Sequence, residues 1–289
     1  MPSSSSPPEA LLDGPASAEG RRPAARPRRL RRRAGWLGAG ALSLALVGSV
    51  VVLRGPDTDM PVGDLPGWQQ VFAEDFDTDA PLGEFPGSAY DERWTGYEGI
   101  KDTSGAGTYS NERVVSVADG MLDMYLHTEK GKPLVAAPIP LVDGKWGGQV
   151  YGRFSVRFRA DPVPGYKTAW LLWPDSNKWA EGEVDFPEGK LDGSMYAANL
   201  CVGKPGKFCL HETDLGTYED WHIATIEWTP DAVTYFLDGE QVAQSDSVPS
   251  TPMHWVLQTE TAFGKPDASA AGHVQVDWAT VYRMDPDEE

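Results

Sequence analysis

Cysteine and histidine are scarce in this 289-residue chain, with two of the first and five of the second. No further cysteine or close histidine pair joins Cys201 and Cys209 to complete a tetrahedral set, and His211 alone is insufficient, which argues against a zinc site. Positive charge is also short: 25 Lys and Arg stand against 43 Asp and Glu, a formal net charge of −18. The shortage is sharper after residue 53, because eight Arg and three acids fall before it, leaving 17 basic and 40 acidic residues, or −23. Phosphate backbones and anionic headgroups repel such a surface, which favours neutral ligands and argues against nucleic acid. Beyond residue 53 the chain also lacks helical periodicity and internal repeats.

Aromatic and turn-forming residues are plentiful. Eleven Trp, ten Tyr and nine Phe, with 31 Gly and 24 Pro, suit a turn-rich β protein in which some rings pack a core and others stack on flat ligands.

The amino-terminal stretch reads differently. Residues 1–33 are rich in Pro, Ser, Ala and Arg, with too few large apolar side chains to pack a core, and are expected to form a disordered basic cytoplasmic tail. Residues 34–53 carry no charge and end at Arg54. At about 1.5 Å per helical residue this segment matches the roughly 30 Å hydrocarbon core of a bilayer. The Arg cluster before it would stay cytoplasmic and send the rest of the chain outside. No small-x-small signal follows the apolar run, so an uncleaved single-pass anchor is expected, with a cleaved secretory or twin-arginine signal as the alternative. Residues 54–67 read as an extended linker in which Pro and Gly deny helix and ladder.

From residue 68 to 285 the pattern is short alternating runs broken by Gly, Pro and Asp, which predicts one all-β sandwich of two antiparallel sheets, expected to act as a monomer. Strands are predicted over residues 113–118 and 121–127, joined by Asp119-Gly120, a pair suited to a tight hairpin turn. Residues 151–159 place Phe154, Val156 and Phe158 on one face. Residues 222–228 and 232–237 form a further pair, with Asp238-Gly239 turning into 241–243, and 255–261 and 274–282 supply the last two.

The segment Gly182–Gly189 reads GEVDFPEG. Strand alternation puts Glu183 and Asp185 on one face and Val184 and Phe186 on the other. Strict alternation would bury Glu188 beside Phe186, where a lone carboxylate is strongly penalised. A β-bulge near Pro187 removes the conflict and returns Glu188 to the face of the other two acids. Retaining glycosidases need two such carboxyls, about 5–5.5 Å apart across the scissile bond, one to attack the anomeric carbon and one to protonate the leaving oxygen. The bare spacing is expected roughly once by chance in a chain this acidic, so context must carry the reading.

The context is supplied by GYKTAWLLWPDS before the motif, EGKLDG after it, and then DWHIATIEWTPDAVTYFLDG, PMHWVLQTE and VDWATVY. Together with Glu183-Val184-Asp185-Phe186-Pro187-Glu188, these resemble the bulged E-x-D-x-x-E signature of glycoside hydrolase family 16, a β-glucanase- and laminarinase-like group with a jelly-roll β-sandwich and a concave substrate cleft. The resemblance implies that Glu183 is the nucleophile, Glu188 the general acid and then base, and Asp185 the partner that orients Glu183. It implies an endo-acting hydrolase of β-1,3- or mixed-linkage β-glucan, a polysaccharide substrate and no required cofactor. A transglycosylase using the same intermediate, or a noncatalytic carbohydrate-binding sandwich, is the alternative.

Secondary candidates follow. Trp179, four residues before Glu183, is a candidate sugar platform, as are Trp170 and Trp173, which alternation turns to opposite faces. In WVLQTE, Trp255 is a further candidate, while Gln258 shares its face with Val256 and Glu260 and would present an amide to the sugar; His254 reads as a structural histidine. Cys201 and Cys209 are expected to pair as a disulfide in an oxidising compartment, pinning a loop that the resemblance places near the cleft. Asp277 aligns with a position that helps bind a structural calcium in many relatives. Two departures from the family pattern, YAANL (Tyr196–Leu200) without a His and Ser155 in place of a Glu, put binding contacts in doubt.

Overall fold

The computed structural model describes residues 58–284. A strand that is apolar on one face needs a second layer to bury it against, and three aromatic pairs make that junction. Phe158 meets Trp170 edge to face at 5.0 Å, Phe154 meets Trp255 at 5.7 Å, and Phe186 meets Tyr235 at 5.7 Å. In each pair the two rings come from different sheets. The first sheet has five strands, in spatial order Phe208–Glu212, Tyr196–Leu200, Glu183–Lys190, Tyr166–Pro174 and Met253–Thr261. The second has eleven, with Glu240–Ser245, Val233–Leu237, His222–Trp228, Gly152–Ala160, Gly272–Met284 and Met121–Glu129 running side by side through most of it. The result is a β-sandwich, as the alternating sequence predicts, antiparallel except where Thr108–Ser110 runs parallel to Lys132–Val135 in the larger sheet.

Both predicted hairpin turns form as expected: Asp119 and Gly120 take φ of 54° and 71°, and Asp238 and Gly239 take 52° and 83°. Two adjacent positive φ values match the twist of the flanking strands. The strand predicted from Arg113 starts later, at Val115, because Asn111–Val114 form one helical turn. Glu98 favours that turn: its carboxylate accepts from the Asn111 N–H and from the Ser110 hydroxyl, both at 2.7 Å.

The described part of the predicted linker, residues 58–67, lies against the sandwich instead of standing off it. Gly63 N donates to Gln70 Oε1 at 2.7 Å, Gln70 Nε2 donates to the Pro61 carbonyl at 2.8 Å, and Trp278 Nε1 donates to the Thr58 carbonyl at 3.1 Å. Polar side chains of the first and last strands thus replace the ladder partners that Pro and Gly deny this segment. The predicted tail and apolar anchor, residues 1–53, lie outside the described residues. Among the described residues no helix is long and apolar enough to cross a membrane.

Candidate active site

The strand Glu183–Lys190 carries the bulge. Asp185 stands opposite Leu171 and Ala198, and Glu188 stands opposite Ala169 and Tyr196. Phe186 and Pro187 therefore occupy a stretch where each neighbouring strand has one residue. Phe186 points into the core against Tyr235, and Glu188 returns to the outer face shared by Glu183 and Asp185. The Phe186–Pro187 peptide is cis. From the core side, Thr168 Oγ1 donates to the Pro187 carbonyl at 3.1 Å and lies 2.7 Å from the Tyr218 hydroxyl. Two positions after Pro187, Gly189 has φ of 149°, and a Cβ there would fall 2.6 Å from the Ser194 carbonyl oxygen. Only glycine fits so tight an approach with that backbone.

Crowding sets the protonation of this face. Asp185 is 3% exposed and hydrogen-bonds Glu183, whose Oε2 also accepts from Trp179 Nε1 at 2.6 Å. Burial first, and the neighbouring Glu188 charge second, push the Glu183 carboxyl up to about 8. Burial, with Glu183 and Glu188 beside it, pushes Asp185 well above the usual carboxylate range. Like charges this close cannot all ionise, so the Glu183–Asp185 pair keeps a proton at neutral pH. Asp185 is its natural holder, because its O–H then donates to an anionic Glu183.

A second carboxylate system adjoins the first. Lys167 Nζ lies 2.9 Å from Glu188 Oε1 and 3.0 Å from Glu260 Oε2. Glu260 Oε1 accepts from Thr103 N at 3.2 Å, the Tyr109 hydroxyl at 3.1 Å and Gln258 Nε2 at 3.2 Å. Burial works against the Lys167 charge, but Glu260 and Glu188 outweigh it and hold the ammonium above its ordinary pKa. Sequence reasoning missed Lys167, Tyr109 and Thr103. The one legible signal was parity: Lys167 has the facing of Ala169 and Leu171, and a lone cation in that apolar run needs an acid across the strand.

The predicted aromatic platforms divide. Trp179 reaches the acids, and Trp173 shares their face with its indole N–H donated to Asn177 Oδ1 at 2.9 Å. Trp170 and Trp255 do not: both are core residues, packed on Phe158 and Phe154, because alternation turns them toward the second sheet. Gln258 is on the acid face as predicted, its amide held between Tyr109 and Glu260. His254 is structural on one side, with Nδ1 2.8 Å from Asp175 Oδ1, and Trp146 lies against its ring at 4.8 Å.

Cys201 and Cys209 are paired, with Cα atoms 5.0 Å apart. Their loop backs Trp179: Gly203 N donates to the Ala180 carbonyl at 2.7 Å. The strand without the family's histidine places Tyr196 against Glu188, to which its hydroxyl bonds, and His211 of the next strand packs edge-on against that ring at 4.9 Å. Ser155 lies on the other sheet, 2.8 Å from the Thr225 hydroxyl, so its change does not bear on the acids. Asp277 is also on that sheet and pairs with Arg157, leaving the calcium expectation to compete with a guanidinium. Among the described residues no group of three or more His, Cys, Asp or Glu is placed to hold a metal ion.

Residues 146–280, which include the bulge and all three acids, match the family described as Glycosyl hydrolases family 16. The chain is 27% identical over 106 residues to a beta-glucanase of Acetivibrio thermocellus, covering 35% of this chain and 31% of the relative. It is 24% identical over 155 residues to a beta-glucanase of Fibrobacter succinogenes, covering 47% and 44%. The matched stretches thus span less than half of either curated relative. The fold is similar to that of the catalytic domain of an endo-1,3-beta-glucanase (laminarinase) from Thermotoga petrophila, with a TM-score of 0.58, 19% identity, and coverage of 76% of this chain and 99% of that one.

Proposed function

We propose that the chain, whose residues 146–280 match glycosyl hydrolases family 16, belongs to that family and is a retaining, endo-acting hydrolase of β-linked glucan, working as a monomer on β-1,3- or mixed-linkage chains without a cofactor. Glu183 attacks the anomeric carbon, and the glycosidic C–O bond breaks as Glu188 passes its proton to the leaving oxygen. Glu188 then takes a proton from water, whose oxygen attacks the same carbon and releases Glu183. Asp185 donates its O–H to Glu183 and steadies it between the two steps. The Trp179 N–H fixes the second oxygen of Glu183, leaving little rotational freedom to lose on attack.

The observation that carries this reading is the bulge, which sets Glu183, Asp185 and Glu188 on one outer face. A binding sandwich has no need for three crowded acids. We place the domain outside the cytoplasm, anchored through residues 34–53 or released after their cleavage. The Cys201–Cys209 disulfide supports an oxidising compartment, and the Arg cluster ahead of the apolar run supports that orientation.

Product analysis across laminarin, lichenan, agar, carrageenan and galactan tests the proposal. Oligosaccharides from laminarin or lichenan, first formed as the β-anomer, are expected. Binding to these glucans with no bond cleaved in any of the five polymers would leave a carbohydrate-binding sandwich instead.

A further inference from the structure

Lys167 stands in the middle of the acid face with no part in the reaction as described, and its placement is unusually constrained. Its ammonium touches two carboxylates that differ in kind. Glu260 is 1% exposed, and its far oxygen already accepts from Thr103, Tyr109 and Gln258, so it is a fixed anchor. Glu188, with its side chain 13% exposed, is the working group. The exposed Phe263 ring lies beside the ammonium, with its centroid 5.6 Å from Lys167 Nζ. A cation held by a static acid and presented to a working one at 2.9 Å is a counter-ion with a fixed address.

We infer that Lys167 is the positioning residue of Glu188: anchored on Glu260, it fixes that carboxylate in place and supplies the opposite charge beside it. This rests on the assignment of Glu188 as acid and base. In the first half-reaction the ammonium stabilises the carboxylate that appears as the proton leaves, and in the second it keeps that carboxylate fixed in place beside the attacking water.

Every neighbouring charge bears on that balance. Glu183 and Asp185 from the same strand disfavour a third anion. Tyr196 from one neighbouring strand and Tyr218 beneath the sheet are neutral, with burial raising both hydroxyls above their ordinary pKa. Lys167 from the other neighbouring strand is the one cation among these groups, and Glu260 offsets part of its field. Burial of the pair makes the attraction strong, because solvent screening is weak there.

The experiment compares wild type with Lys167→Met and Lys167→Arg. The alkaline limb of the kcat/KM profile is expected to move up in Lys167→Met by about 1–3 pH units, the usual effect of removing an opposite charge within about 4–6 Å, and to stay near wild type in Lys167→Arg. An unmoved limb in a folded Lys167→Met enzyme overturns the inference. Should that variant fail to fold, Glu260→Gln leaves Lys167 to Glu188 alone and is expected to move the limb down; no movement overturns the inference equally. Carbon-13 NMR titration of the Glu188 carboxyl, identified by its absence in Glu188→Gln, needs no substrate. It should show a higher midpoint in Lys167→Met. Wild type that cleaves no β-glucan would sink the functional reading, while this titration would still decide the role of Lys167.

Discussion

The two outer faces of the sandwich carry polar side chains in the same strand alternation, and they differ in how charge is balanced. On the eleven-stranded sheet, Arg153 meets Glu227 at 3.0 Å, Arg157 meets Asp277 at 2.5 Å, and Arg159 bonds Gln275 Oε1 at 2.9 Å. Arg157 and Arg159 also lie over the Trp221 ring, 4.4 and 4.8 Å from its centroid. Arg153 and Arg157 there each have an acid of their own, and Arg159 has an amide. On the five-stranded sheet, Glu183, Asp185, Glu188 and Glu260 share Lys167. Balanced, partly exposed pairs contribute little and are screened, whereas crowded buried acids must retain a proton. Imbalance of sign under burial, rather than the number of charges, separates a reactive face from a solvated one.

The largest expected effect breaks the comparison at the acid face. Glu183→Gln should lower release of reducing ends by about 10⁴-fold or more, since removal of a covalent nucleophile leaves only binding and positioning. Glucan affinity, measured by calorimetry, should stay within a few fold. Glu227→Gln on the opposite face should leave kcat/KM near wild type. If hydrolysis survived in Glu183→Gln, the two faces would not differ in the way proposed. Next in size is Trp170→Ala, expected to cost about 3–5 kcal/mol by chemical denaturation, the range for truncating a buried aromatic. A lower glucan affinity with unchanged stability would instead return Trp170 to the cleft.

These tests bear on what the sequence could convey. Alternation alone placed Phe154, Val156 and Phe158 inside and required the bulge at Pro187, because burying Glu188 unpaired is too costly. Parity also separated Trp170 from Trp173, and Trp255 from Gln258. The partners of those side chains were beyond it. Glu260 lies 93 positions from Lys167 by number, and Tyr109 reaches it from a hairpin far earlier in the chain. Such contacts depend on which strands become neighbours, a property of topology that periodicity does not encode. The packing of residues 58–67 was hidden for the same reason, since Pro and Gly report what a segment cannot form and not what it rests on.

Protonation of the acid face should appear in stability as well as rate. Unfolded, Glu183 releases its proton near the ordinary value of 4.5; in the fold, burial and its neighbours push that up to about 8 and keep one proton on the Glu183–Asp185 pair, with Asp185 as its holder. Below both values the carboxyl is protonated in either state. Between them the folded protein keeps a proton that the unfolded chain releases, so the stabilisation is lost as pH rises through that window. The melting temperature should therefore fall between about pH 4.5 and 8, by an amount on the order of a few degrees. Glu183→Gln should flatten that part of the curve. A wild-type curve that rises across the window would mean that Glu183 is solvated like the acids of the opposite face.

The smallest expected effect belongs to that opposite face. Arg157→Met removes an ion pair with Asp277 and a contact with the Trp221 ring. Partly exposed pairs of this kind contribute about 0–1 kcal/mol, and a cation over an aromatic ring at a partly exposed site about 0.5–1 kcal/mol. Part of the loss is recovered because the methionine stem still covers apolar surface. The difference from wild type should shrink further in 1 M salt, where charges are screened beyond about 3 Å. A loss of several kcal/mol, insensitive to salt, would place Arg157 and Asp277 among the buried charges and erase the contrast between the faces.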